Sequence, residues 1–171
     1  YKLNDNTKAD NYEIKEELGT LTVNDRAVKY EITVAANSDT VPYDGNEHTV
    51  EGLKKNTFTL DGVKYTVSGL TAKATGTDVD EYTSEIKGKA VVTDEAGNDV
   101  TKQFIVHKTD GKLIINQRNV TLTSASDEKK YDGKPLTNGE VTVTGDGFAN
   151  GEGASYDVTG SQTVVGSSDN E

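Results

Sequence analysis

The sequence predicts an all-β fold built as immunoglobulin-like β-sandwich modules in tandem, and three observations carry that expectation. Threonine occurs 23 times and valine 18, against 9 leucines and 11 alanines. Side chains branched at Cβ lose rotamer freedom in helices and fit the half-buried face of a sheet. Short segments alternating apolar and polar residues recur along the chain, which is the period of a strand with one face on a core. A block of sequence also repeats at an interval close to the length of one sandwich module. A β-grasp-like module with one short helix is the alternative.

The first clear alternation runs Val28-Lys29-Tyr30-Glu31-Ile32-Thr33-Val34. Thr57-Phe58-Thr59-Leu60 and Val63-Lys64-Tyr65-Thr66-Val67 then flank Asp61-Gly62. An Asp-Gly pair between two alternating runs predicts a hairpin closed by a type I′ turn, which needs positive φ at both central residues. Leu70 to Glu81 has the best helical patterning of the chain, interrupted around Gly69 and Gly76, and predicts at most one short helical turn. Further strands are predicted at Tyr82 to Thr93, Thr101 to His107, Lys112 to Ile115, Val120 to Thr123 and Val141 to Thr144. Within Asp78-Val79-Asp80-Glu81-Tyr82, an acidic residue shortly before a strand-opening tyrosine matches the tyrosine corner, whose phenol bonds back to the backbone; an ordinary edge tyrosine is the other reading. With 17 glycines and 2 prolines, tight turns are expected throughout.

Internal repetition divides the chain. Gly19-Thr20-Leu21-Thr22-Val23-Asn24-Asp25-Arg26 recurs as Gly111-Lys112-Leu113-Ile114-Ile115-Asn116-Gln117-Arg118, 92 residues downstream. Tyr12, Ile14 and Val28 match Phe104, Val106 and Val120 at the same interval. Tyr43-Asp44-Gly45 recurs as Tyr131-Asp132-Gly133 at an interval of 88, so the second copy is four residues shorter between landmarks, as a loop deletion leaves it. The expected organisation is 1–26 as the tail of a preceding repeat, 27–118 as a complete module and 119–171 as an incomplete second module. The Asn-Asp-Arg and Asn-Gln-Arg triplets are the natural junctions.

These motifs resemble a known class. Val41-Pro42-Tyr43-Asp44-Gly45, His48-Thr49-Val50-Glu51-Gly52, Asp94-Glu95-Ala96-Gly97-Asn98-Asp99-Val100-Thr101 and Gly111-Lys112-Leu113-Ile114-Ile115 resemble the YDG-type tandem repeats of large bacterial cell-surface adhesins. Lys130-Tyr131-Asp132-Gly133-Lys134-Pro135-Leu136-Thr137-Asn138, continuing through Gly145-Asp146-Gly147-Phe148 to Gly160-Ser161-Gln162-Thr163, resembles a sister type, which a stretch like Lys8-Ala9-Asp10-Asn11-Tyr12-Glu13-Ile14 normally closes. The resemblance implies a Gram-positive, cell wall-attached extracellular protein carrying many copies. It implies an extended, non-enzymatic stalk or adhesin segment, with no catalytic residues to carry over. Its alternative is a direct host-ligand module for a mucin, a glycan or an immunoglobulin.

Charge and residue choice narrow the chemistry further. Eighteen basic residues against 29 acidic ones give a net charge of −11, which disfavours nucleic acid and anionic membrane surfaces as partners. Cysteine is absent, which excludes disulfides, thiolate zinc sites and thioesters; tryptophan is absent too, which weakens a carbohydrate-binding module reading. His48 and His107 are the only histidines, and no Gly-x-Ser-x-Gly elbow accompanies them. Gly145, Gly147, Gly151 and Gly153 lack the Lys and Ser/Thr of a phosphate loop and, with Asp146 and Glu152 interleaved, read as turns. Asp78, Asp80 and Glu81, and Asp94, Glu95, Asn98 and Asp99, offer oxygen ligands for Ca²⁺, yet neither set matches an EF-hand and turn chemistry is the simpler reading. Tyr43 and Tyr131 are expected to pack beside their Asp-Gly turns. An internal Lys-Asn isopeptide bond has too many candidates to place. No catalytic, cofactor-binding or metal residue is therefore assigned and no cofactor is expected. The expected partners are neighbouring repeat modules, a host glycoprotein or immunoglobulin, and a second copy joined head to tail through residues 1–23.

Overall fold

A computed structural model describes all 171 residues, and the protein is all-β. Nine strands build the module spanning 27–118: β1 (Tyr30–Ala35), β2 (Asp39–Pro42), β3 (His48–Glu51), β4 (Thr57–Leu60), β5 (Val63–Gly76), β6 (Glu81–Ser84), β7 (Ile86–Thr93), β8 (Phe104–Thr109) and β9 (Gly111–Asn116). Two more, β10 (Val120–Ser124) and β11 (Val141–Gly145), lie in 119–171. The only helical residues form two 3-10 turns, Ala9–Asn11 and Thr101–Gln103. No helix lies between Leu53 and Asp99, where a β-grasp-like module would need one.

Long strand β5 organises one layer, pairing antiparallel with β4 and β7 along its first part and with β3 along its last. The opposing layer is made where the chain returns upon its beginning. There β1 pairs with β8 and β2 with β9, both in parallel, and β6 adds to β9 antiparallel. Alternation decides which residues meet between the layers. Ile32 and Val34 of β1 pack with Val67 and Ala72 of β5, Ile86 and Val92 of β7 and Phe104 of β8. Leu113 and Ile115 of β9 pack with Val50 of β3 and Ala74 of β5, flanked by Val41, Tyr43 and Tyr82.

Local chemistry matches the predicted hairpin. Asp61 (φ 50°) and Gly62 (φ 81°) form the two-residue turn, with Leu60 and Val63 directly paired. Leu70 to Glu81 differs from expectation: β5 continues to Gly76, and no helical turn forms. Its glycines serve the sheet instead. Ladder register shifts between Ser68 and Leu70, and a Cβ on Gly69 would sit 2.4 Å from the Lys89 carbonyl oxygen, so this is a bulge that lets β5 bend across both parts of the core. Gly76 leaves room for the Tyr82 ring, which a Cβ would meet at 2.2 Å. Thr101 to His107 is also adjusted, since Thr101–Gln103 form a turn before β8 starts at Phe104.

The flanks are built differently. Residues 1–26 run without strands and with no buried side chain. In 119–171, β10 and β11 form an antiparallel pair and an isolated bridge joins Leu136 to Gln162. Ala149 is the one buried residue there. Asn170 ties the irregular segments together, its side-chain amide donating to the carbonyls of Ala125 (2.8 Å) and Asn138 (2.9 Å).

Candidate functional site at the module junction

A set of hydrogen-bonded polar groups lies where 27–118 meets 119–171. Strand β9 ends at Asn116, whose carbonyl accepts from the Tyr43 backbone N–H (2.8 Å), and two residues later the Arg118 guanidinium turns across the boundary. Its Nε donates to the Gly147 carbonyl (2.8 Å), one terminal nitrogen to the Tyr43 carbonyl (3.2 Å) and the other to the Asp146 carbonyl. One planar cation thus binds backbone on both sides of the 118/119 boundary, a task that its fixed fork of donors suits and a lysine ammonium does not.

Around Arg118 the contacts continue. Asn119 and Asp146 bond reciprocally, the Asn119 N–H donating to the Asp146 carboxylate (2.9 Å) and the Asp146 N–H to the Asn119 carbonyl (2.7 Å). The Tyr43 hydroxyl donates to the Glu152 carboxylate. That bond, followed by burial and by the nearby charges of Glu152, Asp78 and Asp44, raises the Tyr43 pKa above its ordinary value. Phe148 and buried Ala149 supply the apolar floor, beside a 260 Å³ cleft that Val79 and Val120 also line. The glycine-rich stretch read from sequence as a flexible turn is the loop that receives Arg118, and the acids interleaved in it, Asp146 and Glu152, each hold a junction contact.

The repeated Tyr-Asp-Gly landmark is a turn stabilised by its aspartate. The Asp44 carboxylate accepts from the Asn46 N–H (2.9 Å) and from His48 Nε2 (2.9 Å), which lowers its pKa to about 2, the backbone bond contributing most. Asp132 repeats the pattern, accepting from the Lys134 N–H (3.0 Å) and Lys129 Nζ (2.7 Å); its pKa is lowered, mainly by Lys129. Tyr43 packs at the junction, whereas Tyr131 is largely exposed.

The remaining candidates are dispersed. His48 bonds only to Asp44, and His107, on β8, reaches Glu31 at 3.2 Å; neither has a serine partner. Asp94 is engaged by the backbone N–H (2.8 Å) and side chain (2.9 Å) of Asn98, and Asp99 by the Thr101 N–H (2.9 Å), so the second acidic loop is a hydrogen-bonded turn. In the first, Asp80 accepts from the Glu81 N–H (2.7 Å) and Glu81 pairs with Lys112 (2.6 Å). No group of three or more acidic or histidine side chains has metal-holding geometry. The Tyr82 hydroxyl donates to the Asp78 carbonyl at 3.0 Å, the back-bond of a tyrosine corner. No Lys, Asn, Asp or Glu is buried, so no trio for an isopeptide bond beside a buried carboxylate is present. Sequence reasoning singled out the Asn-x-Arg triplets but missed Glu152, 109 residues from Tyr43, and the Arg118 carbonyl set, because backbone acceptors leave no trace in residue identity. No family model matches the chain, and no curated protein or solved structure matches it closely enough to carry an argument.

Proposed function

We propose that this chain is a non-enzymatic structural and adhesive segment of a bacterial cell-surface protein, a stalk of immunoglobulin-like modules held in fixed relative orientation. The observation that carries the reading is the junction. Two repeat copies meet with no linker between β9 and β10 beyond Gln117, Arg118 and Asn119, and Arg118 binds carbonyls of both. An Asn-x-Arg triplet ends both the 1–26 tail and the 27–118 copy, and a Tyr-Asp-Gly turn occurs in both 27–118 and 119–171, so parts of the joint recur from copy to copy. In 27–118, apolar side chains of β1 and β8 packed against β5 and β7, and of β9 against β3 and β5, support a sandwich reading of that module. Wall attachment and an extracellular place follow from the adhesin resemblance, and a charge of −11 suits them.

The chain has no native cysteine, so Lys73→Cys and Thr142→Cys, both exposed, allow spin labels on either side of the joint. A stiff stalk gives one narrow distance distribution, and Arg118→Ala broadens it severalfold while each module's circular dichroism is kept. A broad distribution in the unsubstituted chain overturns the reading.

A further inference from the structure

The first and last strands of 27–118 lie side by side and run the same way. β1 faces β8 through six residue pairs, Tyr30 to Ala35 against Phe104 to Thr109. β2 faces β9 through four, Asp39 to Pro42 against Leu113 to Asn116. Every residue in both sets faces the one 74 positions further on, so the two pairs are one parallel ladder with a short break. The break is bridged as well. There the Ala36 N–H donates to the Thr109 carbonyl (3.0 Å) and the Lys112 N–H to the Ser38 hydroxyl (3.1 Å), while Gly111 leaves room for the Asn37 carbonyl. Beyond Pro42, the Tyr43 N–H closes the ladder on the Asn116 carbonyl (2.8 Å).

Because the strands are parallel, the chain enters 27–118 at the Tyr30 end of the ladder and leaves at the Asn116 end. The run from Tyr30 to Pro42 separates these ends by about 40 Å at strand rise. A pull on the two flanking segments therefore acts along the strands and passes straight from β1 and β2 to β8 and β9. Sliding one side of the ladder past the other strains all of its hydrogen bonds together, whereas drawing the sides apart breaks them one at a time. Single hydrogen bonds are weak, so the direction of loading decides the resistance. Burial holds both sides in place. Ile32, Val34 and Ala36 on one side and Phe104, Leu113 and Ile115 on the other are all buried, and β6 pairs with the far edge of β9.

We infer that 27–118 is a load-bearing module, in which β1 and β2 against β8 and β9 form a clamp that meets tension in shear. Resistance to force is set by the barrier to unfolding, and the ladder places that barrier between the points where the chain enters and leaves. That the module meets tension in its work rests on the stalk reading. The clamp itself lies wholly within 27–118, so a flexible joint at Arg118 would leave it standing.

Force spectroscopy on the whole chain tests it, with DNA handles attached through introduced cysteines, since the chain has none of its own. Lys29→Cys with Gln117→Cys loads the ladder in shear. Lys29→Cys with Lys102→Cys, which stands just before β8, loads the same ladder from one end and peels it. All three positions are exposed, so the fold is kept. At equal pulling speed the shear pair should yield at a force severalfold higher than the peeling pair. It should do so in one step that frees about 250 Å of chain. Equal forces in the two directions, or a first step in the shear pair far short of that length, overturns the clamp.

Discussion

Ser84 is fully buried at the end of β6, and its hydroxyl has no hydrogen-bond partner. It sits where the chain crosses from one layer to the other, since β6 pairs with β9 and β7 with β5. The backbone at this crossing is satisfied from a distance, the Ile86 N–H donating to the Asp110 carboxylate at 2.7 Å. A buried hydroxyl without a partner carries its desolvation cost of about 1–3 kcal/mol unrelieved. Ser84→Ala removes that cost and leaves little void, so the module should gain about 1 kcal/mol in denaturant unfolding. A loss of stability would show that the hydroxyl has a partner in solution. Tyr82, two residues earlier, is the converse case: its hydroxyl is satisfied by the Asp78 carbonyl and its ring fills the space above Gly76.

Among the strands, β9 holds the most demanding place, paired on both edges and supplying two fully buried side chains. Leu113→Ala should cost about 2–5 kcal/mol, as expected for a cavity opened in a packed core. Leu21→Ala, at the same repeat position, should change monomer stability by less than about 0.5 kcal/mol, because Leu21 packs on nothing. Comparable losses from the two would mean that residues 19–23 are packed within their own molecule. This pair also shows what sequence could and could not convey. Alternation located β1, β4, β9, β10 and β11, but it read Tyr82 to Thr93 as one strand, whereas the chain crosses between layers after Ser84 so that β6 pairs with β9 and β7 with β5. It passed over β2, whose residues Asp39–Pro42 are mostly exposed and take their identity as a strand from pairing with a distant β9. It also stopped β5 short, because Gly69 and Gly76 read as interruptions until the bulge and the Tyr82 ring are in place. The repeat marked the junction by its Arg triplet. It could not mark Glu152 as the acceptor of the Tyr43 hydroxyl, a pairing across 109 residues.

At the scale of the whole molecule, the hydrogen bonds that join 27–118 to 119–171 include one that titrates in the alkaline range. The Tyr43 hydroxyl must keep its proton to donate to the Glu152 carboxylate, and engagement raises its pKa above the ordinary 10.0. A group whose pKa is raised in the engaged state contributes fully below its free value, and the contribution is lost as pH climbs through the raised one. The three contacts of Arg118 are to carbonyl oxygens and do not involve the Tyr43 hydroxyl. The distance distribution between labels at positions 73 and 142 should therefore be narrow at neutral pH and broaden above pH 10, where phenolate faces carboxylate. Tyr30 also has a raised pKa, mainly through its bond to Asp61, but it lies at the far end of the module, so a measurement across the joint isolates Tyr43. Tyr43→Phe lacks the ionisable group and should give a distribution that does not respond to alkali. Broadening of the same size in Tyr43→Phe, or none in the unsubstituted chain, would remove Tyr43 and Glu152 from the contacts that fix the joint and leave Arg118 and the Asn119–Asp146 pair to hold it.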